Sequence, residues 1–375
     1  MNQKIKILYF VDRMLKGGIQ SLLINWISNL NRDKFDIDVL LLDDGNKYEL
    51  EDMLKALNCN VYKLEGIWIR KPSDFITYGK ALDNFFIEHH DYKVIHLNSS
   101  SKNYQVLKYA KKYGIPIRIA HSHNTDFQAN SKVKKIVGDV LKVKLVHYAT
   151  DYFACSKIAG KWLFGRDIVK NSDKFKVIHN AIDYDKFKFD LESRSKIRKE
   201  LNVKDNDLVL GCVARFEAQK NHIFLIDIFN EIHKEKPNSK LLLIGKGSLQ
   251  NEVQEKVNEL NLTDNVIFIG FKENVNEYLN AMDIFIMPSL YEGLGLVLIE
   301  AQANGLSTYT SKDVVPSETR ISTQLQYVSL NENAKEWAEY ILKQKNKRKD
   351  TYEEIKNAKY LLRDMINELE EIYAK

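Results

Sequence analysis

Met287-Pro288-Ser289-Leu290-Tyr291-Glu292-Gly293-Leu294-Gly295-Leu296-Val297-Leu298-Ile299-Glu300-Ala301 is the stretch that decides the fold. The apolar run Ile284-Phe285-Ile286-Met287 leading into it reads as a buried strand, and the segment after Gly295 as a helix that Asn304-Gly305 closes. In open α/β sheets such a strand–loop–helix junction lies at the carboxyl edge, where ligands bind and a helix N-terminus offers backbone N–H groups to an anion. Two carboxylates frame it, Glu292 in the loop and Glu300 in the helix, with seven residues between them. At ~1.5 Å of rise per residue, Glu300 lies on the order of 10 Å beyond the loop. A phosphate at the helix start and ribose hydroxyls at Glu300 fit that length, which suggests a nucleotide-diphosphate site.

Working outward, the same αβ pitch recurs on both sides. Upstream, Leu208-Val209-Leu210-Gly211-Cys212-Val213, Leu241-Leu242-Leu243-Ile244 and Val266-Ile267-Phe268-Ile269 read as strands separated by helices, with the short Thr308-Tyr309-Thr310 following. Arg215 and Lys220 come just after the first of these strands, Gly245-Lys246-Gly247 ends the next, and Gly270-Phe271 ends the third. A forked guanidinium and an ammonium at that edge can neutralise a diphosphate, although on a loop alone they read equally as surface charge. The chain from 185 to 207 is highly charged without a sustained apolar run, which marks a domain boundary.

The first half repeats the plan. Ile5-Lys6-Ile7-Leu8-Tyr9-Phe10-Val11 predicts a strand, Gly17-Gly18 a close-approach loop, and Leu22, Leu23, Trp26, Ile27 and Leu30 a helix. Strand-like and helix-like segments then alternate to Val177-Ile178, which argues for a parallel sheet covered on both faces. The G-x-G-x-x-G fingerprint of a dinucleotide site is absent. His121-Ser122-His123-Asn124 is expected directly after a strand, with His121 and His123 on the same side of an extended segment. No convincing further metal ligand lies nearby, so a polar contact to substrate competes with inert loop histidines. A helix over 131–147 carries apolar residues interleaved with Lys132, Lys134, Lys135, Lys142 and Lys144; an anionic membrane surface and a solvated Lys face fit it about equally. The Ile67-Trp68-Ile69-Arg70-Lys71-Pro72 loop could touch lipid or acceptor, or simply pack.

Composition bounds the rest. At 375 residues with 44% hydrophobic content, two domains are expected. A net charge of +5 is too dilute for nucleic-acid binding. Cys59, Cys155 and Cys212 show no metal or redox spacing and read as buried thiols of a reducing cytoplasm. No signal-peptide core and no run approaching the ~20 apolar residues of a membrane span is visible.

Together these motifs resemble retaining glycosyltransferases of the GT-B fold, family GT4. Glu292 to Glu300 is similar to the family's E-x7-E motif, with the E-A-x-A-x-G ending at Glu300-Ala301-Gln302-Ala303-Asn304-Gly305. Arg215 and Lys220 resemble its Arg…Lys pair, Gly17-Gly18 its N-terminal glycine loop, and Asn180-Ala181-Ile182-Asp183 its N-G-V-D signature. The wording around His121, Asp313–Glu318 and Trp337 resembles the bacterial capsular and exopolysaccharide branch. Ala181, Lys246 and Ser307 depart from the pattern, and Lys246 puts base or ribose contacts in doubt.

The resemblance implies two Rossmann-like domains: an acceptor domain at 1–184, a linker at 185–206, a nucleotide-sugar donor domain at 207–350 and a terminal helix at 351–375. It implies retaining transfer of a hexose or N-acetylhexosamine from a UDP-sugar to a saccharide, lipid-linked in this branch, at the cytoplasmic face of the membrane without a metal. By the same carry-over Gly17, Gly18, Arg215, Lys220, Gly245, Phe271, Gly293, Leu294, Gly295 and Leu296 hold the donor, Glu300 the ribose, and Glu292 and His121 the sugar, with His123 and Asn124 nearby. A nucleotide-sugar epimerase, a phosphorylase-like enzyme and a non-catalytic partner subunit are the competing readings. Asp36-Ile37-Asp38 and Asp205-Asn206-Asp207 have the D-x-D form of metal-dependent transferases but sit poorly, one entering a strand and one in charged chain.

Overall fold

The structure is a computed structural model that describes residues 4–14, 18–43, 45–67, 73–123 and 132–375. It divides into two units, Met1–Asn180 with Arg363–Lys375, and Ala181–Leu362. Each is a parallel sheet with helices on both faces, as the alternating pattern predicts.

In the first unit β1 (Ile5–Val11), β2 (Phe35–Leu42), β3 (Asn60–Leu64), β4 (Val94–Leu97), β5 (Ile117–Ser122), β6 (Asp151–Ala154) and β7 (Phe175–Val177) line up as β3-β2-β1-β4-β5-β6-β7. Leu8, Phe10, Ile95 and Leu97 are fully buried, which is why the central strands read as continuous apolar runs rather than alternating ones. Helix Gly18–Asn29 covers the sheet with Leu22, Leu23, Trp26 and Ile27 inward.

In the second unit β8 (Leu208–Val213), β9 (Ser239–Ile244), β10 (Val266–Gly270), β11 (Ile284–Met287), β12 (Ser307–Ser311) and β13 (Leu325–Val328) run β10-β9-β8-β11-β12-β13. Strand order therefore reverses beside β1 in one unit and beside β8 in the other. A crevice at the carboxyl ends of the strands forms where connections diverge in this way.

Two segments differ from expectation. The charged stretch 185–206 is no extended linker: helices Tyr184–Phe187 and Leu191–Glu200 fall in the second unit. Two of its charges point inward: Arg194 and Arg198 each bind a different oxygen of Asp283 at 2.7 Å, and the Val209 amide donates to that carboxylate at 2.8 Å. Burying all three charges together satisfies them, and composition alone cannot distinguish that from solvated charge. The terminal helix expected over 351–375 is two helices, Tyr352–Asn357 and Leu362–Tyr373. Between them Lys359 takes φ +63°, and the backbone bonds with Ile182 instead, Ile182 donating to Tyr360 at 2.9 Å and accepting from Leu362 at 3.0 Å. Tyr352–Asn357 belongs to the second unit, whereas from Arg363 onward the chain belongs to the first, where Met365, Leu369, Ile372 and Tyr373 are buried.

Candidate functional site

The second unit places its predicted residues around the β8/β11 switch. The 3-10 turn Ala218–Lys220 after β8 is stitched to the loop after β11: Leu290 N donates to Gln219 O at 2.8 Å, Gln219 Nε2 to Tyr291 O at 2.8 Å and Asn221 Nδ2 to Pro288 O at 3.1 Å. Asn221 supplies this link from a left-handed backbone, φ +56°. The far side of the loop is held by Thr319 Oγ1, which donates to Leu294 O at 2.6 Å. Gly295 takes φ +71° immediately before helix Leu296–Ala303, a turn that a side chain would strain.

This bracing leaves a line of unused donors. The backbone amides from Gly293 through Val297 make no hydrogen bond to the described residues. The guanidinium of Arg215, exposed at the end of β8, likewise has no hydrogen-bond or ion-pair partner among them. Glu300 sits one turn into the helix with a partly accessible carboxylate that no described donor meets, and burial pushes it up to about 7 against a weak opposing pull from Lys186. Cations and N–H dipoles at one end and an unsatisfied carboxylate at the other suit a ligand that is anionic first and hydroxyl-bearing further along.

Lys220 and Glu292 are not separate, as their expected roles imply. Their side chains pair at 2.5 Å and are nearly buried, at 15% and 5% exposure. Glu292 thereby anchors Lys220 at the loop while keeping a second carboxylate oxygen. Gly245 lies so close to β8 that an added Cβ would stand 2.0 Å from the Ala214 carbonyl oxygen, and Gly247 similarly abuts Phe216. Phe271 is half-exposed at the end of β10. Ser289 and Ser311, at the ends of β11 and β12, bury hydroxyls without a partner among the described residues; nothing in their sequence context marks them.

In the first unit His121 is not on a loop, as expected, but inside β5, and only 1% exposed. The two-residue spacing does put His121 and His123 on one side, their rings stacked at 4.1 Å. Two residues that the sequence reading overlooked complete the stack: His96 at 5.2 Å and Trp26 at 5.6 Å from His121. His96 was visible as the one polar residue in the buried strand Val94-Ile95-His96-Leu97. Burial drives all three histidines towards the neutral form, His123 down to about 4 and the others well below the ordinary value. His123 Nε2 donates to Asn98 Oδ1 at 2.9 Å, since the Asn98 amide nitrogen is committed to the His96 carbonyl.

The remaining candidates divide. Gly17, Asn124, the side chains of Lys132, Lys134 and Lys135, and the 68–72 loop lie outside the described residues; Gly18 opens the first helix. Lys142 is no solvated cation: it pairs with Asp139 at 3.1 Å and lies over the Trp162 ring. Instead, helix Lys132–Tyr148 exposes Ile136, Val137, Val140 and Val143 while burying Leu141 and Leu145. Among the described residues no group of three or more His, Cys, Asp or Glu side chains is arranged to hold a metal, and no helix is long and apolar enough to cross a membrane. Asp38 of the first D-x-D sequence is tied to Tyr92 at 2.7 Å, and Asp207 of the second accepts from the Lys204 amide at 2.9 Å.

Two parallel-sheet Rossmann-like units with an anion- and hydroxyl-suited edge define a GT-B-type glycosyltransferase. The family comparison agrees and is more particular: residues 16–186 match the Glycosyltransferase Family 4 profile and 193–361 match Glycosyl transferases group 1. The chain belongs to this glycosyltransferase family. It is 28% identical to a putative glycosyltransferase, EpsF, of Bacillus subtilis, over 90% of this chain and 86% of that one. It is 24% identical to a UDP-Gal:alpha-D-GlcNAc-diphosphoundecaprenol alpha-1,3-galactosyltransferase of Escherichia coli, over 83% and 80%. The crystal structure of HepE of Anabaena in complex with UDP has the same fold, at a TM-score of 0.79 and 20% identity, covering 99% of this chain and all of that one.

Proposed function

We propose that this glycosyltransferase of polysaccharide biosynthesis transfers a hexose or N-acetylhexosamine from a UDP-sugar to a lipid-linked saccharide, with retention and without a metal. One observation carries the reading: the Arg215 guanidinium, the Gly293–Val297 amides and the Glu300 carboxylate all lack hydrogen-bond partners among the described residues around one sheet edge. In the proposed complex Arg215, Lys220 and these amides, with Gly245 and Phe271 alongside, hold the diphosphate. Glu300 accepts from ribose hydroxyls, and Glu292 contacts the sugar. As the glycosidic bond breaks, negative charge grows on the leaving diphosphate, and pre-placed cations and N–H dipoles stabilise it without reorganising. UDP is favoured because it is bound in HepE and named in the Escherichia coli relative's reaction, and the lipid-linked acceptor because that relative's name carries one.

His121 and His123, and by the resemblance Gly17, Gly18 and Asn124, belong in this reading to the sugar and acceptor side. Turnover of a panel of UDP-sugars in excess EDTA is the test: activity that survives the chelator supports the reading, and activity lost to it refutes metal independence. For the acceptor, the apolar stripe Ile136, Val137, Val140 and Val143, with exposed Lys144 on the same helix, supports docking on an anionic membrane. Flotation with anionic vesicles should retain the protein, and Val140→Asp should release it; equal binding by both refutes the surface.

A further inference from the structure

A hydrogen-bonded line runs through the core of the first unit, from the end of the chain to His121. Tyr9 and Tyr373 hydroxyls meet at 2.7 Å, the Tyr373 hydroxyl meets His96 Nδ1 at 2.7 Å, and His96 Nε2 meets His121 Nδ1 at 3.0 Å. All four residues are at most 1% exposed, and His121 Nε2 has no partner among the described residues. Such a line has two polarities. In one, every proton points towards His121: Tyr9 donates to Tyr373, Tyr373 to His96 Nδ1, His96 Nε2–H to His121 Nδ1, and His121 carries its proton on Nε2. In the other, every proton points back, which leaves the Tyr9 hydroxyl proton without an acceptor and the His121 Nε2 lone pair without a donor among the described residues. The forward polarity leaves one unmet group, at the carboxyl end of β5, whereas the reverse leaves two, one of them deep in the core. A buried unmet donor or acceptor bears a full desolvation cost, so the forward polarity prevails.

We propose that Tyr373 and His96 are positioning residues that lock His121 as an Nε2–H donor. The lock rests on the sugar-side role assigned to His121 above. His123 supplies the complement: its Nε2–H is spent on Asn98, so its Nδ1, which has no partner among the described residues, is an acceptor. A stacked donor and acceptor suit a hydroxyl, which can accept from one ring and donate to the other. Two acceptors, as the reverse polarity would present, could not both be satisfied by one hydroxyl proton. The lock also gives the return of the chain's last helix into the first unit a chemical consequence at His121.

Long-range 1H–15N spectra of the full-length protein labelled at histidine nitrogens read the tautomer directly, independent of activity. Wild type should show His121 with Nε2 protonated; a protonated Nδ1 overturns the proposal. Tyr373→Phe keeps the ring packing and should give mixed tautomers, with kcat about tenfold lower and the KM for the UDP-sugar nearly unchanged, the scale of one lost hydrogen bond. His96→Gln, which keeps an N–H near the Nε2 position, should stay near wild type, whereas His96→Leu should fall with Tyr373→Phe; near-ultraviolet circular dichroism confirms that each is folded. Should Tyr373→Phe retain both the wild-type tautomer and wild-type kcat, the lock is wrong. An unchanged kcat in His121→Ala would instead refute the sugar-side role and leave the tautomer result standing.

Discussion

The carboxyl edges of the two sheets carry opposite electrostatics on the same scaffold. Around β8 and β11 lie Arg215, a Lys220–Glu292 pair, unused amides and a Glu300 carboxylate that burial pushes towards its protonated form; around β4 and β5 lie three stacked imidazoles that burial keeps neutral. Strand order and crossover put a crevice at both edges, so topology does not distinguish them. What differs is which backbone and side-chain groups were left without partners. Among the described residues, a guanidinium and a carboxylate are unmet in the second unit alongside uncharged amides and hydroxyls, whereas around His121 the unmet donors and acceptors are all uncharged. In the proposed reaction the charged edge suits a leaving diphosphate and the uncharged one suits hydroxyl groups.

The contrast is sharpest within the second unit, between two of its cations. Arg215→Ala should lower kcat/KM about a hundredfold or more with little change in melting temperature, because the exposed guanidinium has no hydrogen-bond or ion-pair partner among the described residues to abandon. Lys220→Ala should lose activity similarly and also destabilise the unit by roughly 3 kcal/mol, because it strands the nearly buried Glu292 carboxylate. Equal melting temperatures for the two variants would break that distinction.

Acid should separate the units next. The folded state keeps His123 neutral down to about 4, while the unfolded chain takes up its proton near 6.5, so stability is lost as pH falls through that window. His123 alone accounts for on the order of 3 kcal/mol. His96 and His121 act in the same direction, whereas the second unit carries His222 and, less deeply buried, His233 in this state. Hydrogen exchange between pH 6.5 and 4 should therefore show the amides of β4 and β5 opening ahead of those of β8 and β11; the reverse order would contradict the assignment.

Glu300 should show a smaller effect of opposite sign. Its folded value, about 7, lies above the ordinary 4.5, so without ligand the carboxylate weakens the fold as pH rises through that interval. Glu300→Gln removes the penalty, and the free variant should gain about 1–2 kcal/mol over wild type above pH 7 and nothing at pH 4, the partial exposure of the group trimming the full shift. A variant less stable than wild type at pH 8 would show that Glu300 is already satisfied in the free protein.

Much of this was legible in the chain. The apolar runs from Leu208 to Met287 became strands because parallel strands buried on both faces admit little else, and the Glu292–Glu300 spacing placed both carboxylates as expected. What stayed hidden was long-range. Arg194 and Arg198 read as linker charge because their partner, Asp283, lies more than eighty residues away. The break at Lys359 depends on backbone bonds to Ile182, and the Lys220–Glu292 pair on two loops meeting. His121 looked like a loop residue because the contacts that hold it in β5, its pairing with Phe153 and its bond to His96, come from residues remote in sequence.

Calorimetric titration of UDP into the protein in excess EDTA tests the charged edge most directly. The account predicts binding that survives the chelator, weakens at least tenfold in Arg215→Ala, and strengthens as pH rises through about 7 in wild type more than in Glu300→Gln. No binding, or equal affinity in wild type and Arg215→Ala, would contradict it.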